Sequence, residues 1–226
     1  MNKHDLVYAE MVKRILDNKY HVKDNRTSTQ TIGVIGHKSE YHLDAEYVGG
    51  DLHVMNFPLL TTKKVYWKGV LAELFWLING QTNIQFLEKN GVSIWADWPL
   101  KNYNANNPEA QLDRASFCKK IVNNDDFAAR WGELGPVYGK QWRAWERPFN
   151  NTIEHIDQFY NAIRMLIDTP NSRRNIVNAW NPADIEEMSK SGLPPCHTMF
   201  QLLVEKENDT EYLSLIMFQR SNERLH

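Results

Sequence analysis

Apolar residues recur at helical spacing from the start of the chain. Leu6, Val7, Met11, Val12, Ile15 and Leu16 predict an amphipathic first helix. "TIGVIGHKSEYHL" predicts one or two strands bent at Gly33 and Gly36, and "DAEYVGGDLHVMNF" predicts a hairpin turning at Gly49 and Gly50. "VYWKGVLAELFWLI", Val65 to Ile78, is apolar on most sides and predicts a buried helix that stops at Gly80. A second helix is expected over Ile84 to Lys89, and Trp95 and Trp98 fall on one side of a helical turn. "KNYNANNPEAQ" is polar and reads as a loop; "SFCKKIVNNDDFAARWGELG" holds one or two short helices. Ile156 to Asp168 is amphipathic and ends before Pro170, "RRNIVNAWN" reads as a strand, and "ADIEEMSKSG" as a short helix stopped at Gly192. Two runs of strand formers follow, "HTMFQLLV" and "YLSLIMFQ", with turn residues Asn208 and Asp209 between them. A hairpin symmetric about that pair places Cys196 opposite Ser221, with Arg220 on the diagonal.

No linker, repeat or low-complexity segment divides these elements, so a single domain over 1–226 is expected. A net charge of −2 argues against a bulk electrostatic grip on nucleic acid or membrane. No apolar run has the length of a membrane span, and the N-terminus lacks a secretory apolar core. Two cysteines are too few for a disulfide framework, which points to a reducing, cytoplasmic setting. Without ligand spacing among the histidines and carboxylates, no metal is expected.

The candidate chemistry centres on "LPPCH". Pro194 and Pro195 fix their own φ angles and hold the preceding residues extended, so Cys196 stands on a stiff approach at the mouth of a strand. A small buried hydrophobe is the default for a cysteine; a nearby arginine would instead favour the nucleophilic thiolate. His197 cannot be the direct base, because neighbours on a strand point to opposite faces. Arg173 and Arg174 precede a strand, Arg220 ends one beside Ser221, and Arg26 lies among hydroxyls. Each is either a solvated charge or part of a fork-shaped phosphate clamp. Glu73 inside an apolar helix is either its water-facing edge or a tuned carboxyl for proton transfer. Trp95 and Trp98 are core, or a wall on which a flat heterocycle stacks.

Taken together, "ELFWLINGQTNIQFLEKNGVSIWADW", "GPVYGKQWRAW", "SRRNIVNAWNP", "LPPCH" and "FQRS" resemble the thymidylate synthase family from the first helix to Ser221. The resemblance implies an α+β fold, with a large twisted mixed sheet covered by helices on one face and a homodimer interface on the other. It implies reductive methylation of dUMP to dTMP, with 5,10-methylenetetrahydrofolate giving both the carbon and the hydride. Cys196 would add to carbon 6 of the pyrimidine, Glu73 would organise water and proton transfer, and Tyr138 would help the proton leave carbon 5. Arg26, Arg173, Arg174, Arg220 and Ser221 match the phosphate pocket, the double arginine reaching across from the partner subunit. His197 and Gln219 match the nucleotide pocket, and Lys63, Ile94, Trp95, Trp98 and Leu193 the folate wall. Glu223 stands where the family has an acidic residue, and goes with the folate.

Two departures from the family follow. Its "RTGTGT" loop is "RTSTQT" here, without either glycine. After "QRS" the chain reads "NERLH" to His226, so it matches roughly the first two-thirds to four-fifths of a typical member. The segment with the base-reading asparagine, the ribose-binding histidine and tyrosine, and the folate lid falls beyond it. A C-terminally truncated synthase is therefore expected, with an exposed apolar strand edge and little or no activity alone. The alternatives are a hydroxymethylase of dCMP or dUMP, disfavoured by the bulk of Trp95 and Trp98, and an inactive remnant that binds nucleotide or RNA, its own messenger included.

Overall fold

The computed structural model describes residues 2–18, 22–24, 30–54, 57–191 and 193–222. These fall into two compact units, one up to Tyr66 and one from Trp67 onward.

The first unit opens with α1 (Lys3–Asp17). The Asn2 side chain accepts from the His4 and Asp5 amides, and the Asp5 carboxylate accepts from the Asn2 amide, a reciprocal capping box. Asp5, fully buried, also accepts from the Thr61 amide and hydroxyl, which hold its carboxyl below the usual range. Two hairpins follow: β1 (Val22–Asp24) with β2 (Gln30–Ile32), and β3 (Ala45–Val48) with β4 (Asp51–Val54). The expected turn at Gly49 and Gly50 is present, at φ 63° and 94°. The strand expected over "TIGVIGHKSEYHL" ends at Ile32, and residues 33–44 are irregular.

The second unit is built on α2 (Trp67–Ile78), ended by Gly80 at φ 70°. Trp76 is fully buried, and its indole N–H donates to the Asn83 carbonyl at 2.8 Å. The expectation of a buried helix is corrected: Val70, Leu74 and Phe75 are 44%, 44% and 54% exposed. The helix lays one side on the core, and its apolar residues are spread around more than that side.

Next come α3 (Gln85–Lys89), α4 (Asp97–Asn106), α5 (Arg114–Asn123), α6 (Asp125–Trp131) and α7 (Tyr138–Arg143). The stretch read as a loop at "KNYNANN" is largely the end of α4. Tyr103 is buried there against Phe117, Phe127 and Trp131, with ring centroids 5.9, 5.3 and 5.1 Å away. Burial of that ring outweighs the weak helix propensity of the asparagines.

A hairpin not anticipated from the pattern, β5 (Trp145–Phe149) with β6 (Thr152–Ile156), turns at Asn150 and Asn151, both at positive φ. Then α8 (Gln158–Asp168) is capped by Asp157 and stops before Pro170. The expected strand is present as the short β7 (Ile176–Asn178), and the expected short helix as α9 (Ile185–Ser191); its stop at Gly192 lies outside the described residues. Finally β8 (His197–Glu207) and β9 (Thr210–Gln219) turn at Asn208 and Asp209, both at positive φ.

The sheet order is β7-β8-β9, all antiparallel. The fold is α+β, but where one large mixed sheet is expected the described residues form four small antiparallel ones. Trp76, Ile84, Leu87, Phe117, Leu134, Val137 and Val177 form the centre of a core shared by the helices and the inner face of β8. On β9, Leu213, Leu215, Ile216, Met217 and Phe218 are exposed.

Three contacts set the position of α7. A Cβ on Gly139 would lie 2.5 Å from the Gln81 carbonyl oxygen, so only glycine allows this approach. Arg143 donates to the Ile78 carbonyl at 2.6 Å and to both carboxylate oxygens of Asp157. Gln158 donates to the Gln141 and Asn178 carbonyls and accepts from the Asn178 amide. Tyr138, first residue of α7, is thereby fixed against the sheet.

Candidate active site

Cys196 lies half-buried at the entrance to β8, directly after the Pro194–Pro195 pair. The expected hairpin register holds from the turn as far as the pairing of Met199 with Phe218. A bulge then shifts it by one residue, so that His197 pairs with Gln219. Arg220, not Ser221, therefore comes opposite Cys196, and its amide donates to the Cys196 carbonyl at 2.9 Å.

The Arg220 side chain turns back along the proline approach. Its Nε donates to the Pro195 carbonyl at 2.9 Å and its Nη2 to the Pro194 carbonyl at 2.8 Å. Its guanidinium carbon lies 5.3 Å from the centroid of the Trp180 ring. The cysteine is thus presented by two proline torsions and by an arginine clasp that the prolines themselves accept.

From the other side, the Tyr138 hydroxyl accepts from the Cys196 amide at 2.7 Å and from the His197 amide at 3.4 Å. Burial pushes the Tyr138 phenol up, and these two N–H groups partly offset it. The His197 ring packs 5.8 Å from the Tyr138 ring, and burial lowers its pKa, so it is held neutral. Strand geometry keeps it from acting as a direct base for Cys196.

Tyr138 also meets Trp95 edge-on, at 6.2 Å between centroids. The Trp95 indole N–H donates to Glu73 Oε1 at 2.7 Å. Glu73 is half-buried; burial raises its pKa, and the indole hydrogen bond offsets part of that rise. Of the two readings of this glutamate, its half-burial and the indole hydrogen bond favour the tuned carboxyl. A continuous line of contacts runs Glu73, Trp95, Tyr138, Cys196, across α2, the turn before α4, α7 and the approach to β8.

The other expected residues divide. Trp98 is half-buried beside Trp95, Ile94 is 61% exposed, and Leu193 is half-buried on the approach to Cys196. Gln219 and exposed Ser221 flank Arg220. Lys63 is exposed in the first unit. Arg26 and Glu223 lie outside the described residues. Arg173 and Arg174, both exposed, are not brought to Cys196. They precede β7 at the end where Asn175 bonds to Leu202, roughly six or seven residues along β8 and on the order of 20 Å from the cysteine.

Sequence reasoning missed the buried Gln141 and Asn181 and the half-buried Asp184. Gln141 Nε2 donates to Asp184 Oδ2 at 2.6 Å and to the Pro136 carbonyl at 2.9 Å, and Asn181 donates to the same Asp184 oxygen at 2.9 Å. This knot ties α7 to the turn before α9, and so sets Tyr138 relative to the cysteine loop. Their polarity inside "YGKQW" and "NPAD" was the available signal.

Cys118, by contrast, packs on the core, and its thiol is pushed up to about 11 by burial and by the neighbouring Glu88 carboxylate. It stays protonated and poorly nucleophilic at neutral pH. In iodoacetamide labelling followed by peptide mass mapping at pH 8, Cys196 is expected to alkylate first, with Cys118 at least about tenfold slower. Equal rates would contradict the assignment of Cys196 as the accessible thiol.

Among the described residues, no group of three or more His, Cys, Asp or Glu is placed to hold a metal ion, and no helix is long and apolar enough to cross a membrane. The thymidylate synthase family model matches residues 6–225. Thymidylate synthase of Mycoplasma genitalium is 39% identical over 216 residues, which cover 96% of this chain and 66% of that protein. The enzyme of Sphingopyxis alaskensis is 40% identical over 226 residues, 96% of this chain and 67% of its own length. That of Staphylococcus haemolyticus is 37% identical, covering 98% and 70%. The chain thus spans about two thirds of the length of the curated relatives it matches.

Proposed function

This chain belongs to the thymidylate synthase family, and from that premise we propose that it acts in the reductive methylation of dUMP to dTMP, through covalent addition of Cys196 to carbon 6 of the pyrimidine. The observation that carries the reading is the line from Glu73 through Trp95 and Tyr138 to the backbone of Cys196. The family match spans both compact units, which supports one synthase-like domain over 1–226.

The chemistry follows from the groups present. The Cys196 thiolate attacks carbon 6 and shifts the ring electrons onto carbon 5 and the carbonyl at carbon 4, giving an enolate-like nucleophile at carbon 5. Glu73, whose pKa is raised by burial and only partly brought back by the Trp95 indole, can pass a proton to or from that carbonyl through water. The Tyr138 hydroxyl, oriented by two backbone N–H donors, faces the proton that must leave carbon 5. Expulsion of the cysteine restores the double bond.

Methylenetetrahydrofolate, when bound, supplies the one-carbon unit and the hydride. The flat, half-buried rings of Trp95 and Trp98, beside exposed Ile94, fit a heterocycle of that shape, with Leu193 next to the reacting cysteine. Arg220 and Ser221 hold the dUMP phosphate, with Gln219 and His197 nearer the nucleoside. Arg173 and Arg174 serve the phosphate site of a second copy in a homodimer; their exposure and their distance from their own Cys196 support this.

The first chemical step tests the reading without the cosubstrate. Addition at carbon 6 makes the carbon 5 hydrogen exchangeable, so dUMP deuterated at carbon 5 is expected to lose deuterium to water when incubated with the chain. Mass spectrometry follows the loss. Exchange no faster than with the same concentration of a free thiol would overturn the proposal.

A further inference from the structure

We infer that Trp180 is a positioning residue for anion binding: it orients Arg220, and through Arg220 the phosphate of the nucleotide. This rests on the reading of the site as a nucleotide pocket.

An exposed arginine is a poor phosphate ligand until its plane is fixed, because its long side chain must be ordered on binding. Arg220 is exposed, yet its plane is already determined. The two proline carbonyls take two of its five N–H donors, and three remain, enough to fork two oxygens of one anion. Carbonyls on one edge set the direction of the guanidinium but leave it free to rock about that edge. The Trp180 ring, 5.3 Å below the guanidinium carbon, limits that rocking.

The backbone that carries the ring is itself held. The Trp180 amide donates to Asn178 Oδ1 at 2.9 Å, and the preceding Ala179 amide donates to the Thr198 carbonyl at 2.8 Å. Trp180 is half-buried, so one part of its surface packs on the protein while another carries the arginine. The four residues that meet here, Trp180, Pro194, Pro195 and Arg220, come from three segments: just past β7, the approach to β8 and just past β9. Trp180 has no role in the line that runs from Glu73 to Cys196. Its position under the arginine gives it a separate one.

The test is calorimetric titration of the chain with dUMP, deoxyuridine and inorganic phosphate, for the unsubstituted protein, Trp180→Leu and Trp180→Phe. Loss of the ring in Trp180→Leu is expected to weaken dUMP and phosphate about tenfold and leave deoxyuridine unchanged, while Trp180→Phe, which keeps an aromatic face, recovers most of the loss. Trp180→Met, closer in volume, replaces the leucine variant if that one does not fold. Unchanged dUMP affinity in the ring-less variant, or a parallel loss for deoxyuridine, overturns the inference while leaving the nucleotide reading intact. Failure of the unsubstituted chain to bind either dUMP or phosphate overturns both.

Discussion

Cys196→Ala is expected to bring exchange at carbon 5 of dUMP down to the uncatalysed background, a fall of about 10⁴-fold or more. No other thiol can substitute. Cys118 is packed on the core beside Glu88 and keeps its proton to about pH 11. Cys118→Ala is therefore the matched control, and should retain most of the exchange. The loss in Cys196→Ala should come with little structural change, because the contacts that hold this residue are made by its backbone. Its amide is bound by Tyr138 and its carbonyl by the Arg220 amide, and neither depends on the sulfur. Equal melting temperatures with abolished exchange would identify the thiol as chemistry and not scaffold. Retention of more than about a tenth of the exchange would sink the covalent mechanism.

Glu73→Gln is expected to lower the same exchange by about 10² to 10³-fold. The amide oxygen can still accept from the Trp95 indole, so the geometry survives, while the side chain can no longer donate and recover a proton. A pH-dependent stability effect accompanies this loss. Burial raises the Glu73 pKa in the folded chain. The folded protein therefore keeps a proton that the unfolded chain has already released. Its contribution to stability is fully present below the ordinary glutamate range and is lost as pH rises through the raised value. Glutamine cannot titrate, so the melting temperature of Glu73→Gln should gain on that of the parent as pH rises across this window. A difference that stays constant with pH would show that Glu73 is not desolvated in solution.

Much of this site was legible in the chain. The double proline, the position of Glu73 in an apolar helix and the hairpin about Asn208 and Asp209 each carried a local physical signal. What could not be read depends on long-range detail. The bulge next to His197 moves the partner of Cys196 by one residue, and no local pattern announces it. The arginine clasp joins residues 25 and 26 positions apart, and its aromatic support comes from a third segment. Polar asparagines concealed the end of α4, where burial of Tyr103 decides the outcome. The β5–β6 hairpin went unread because its turn uses two asparagines at positive φ where glycine would be the clearer sign.

Gln158 gives the sheet a direction of growth. Its side-chain amide accepts from the Asn178 N–H and donates to the Asn178 carbonyl, as the backbone of a neighbouring strand would. One glutamine on α8 thus imitates a single residue of strand at the outer edge of β7. At Asn178 an incoming segment finds both backbone groups taken, whereas along β9 the outer border carries no such imitation among the described residues.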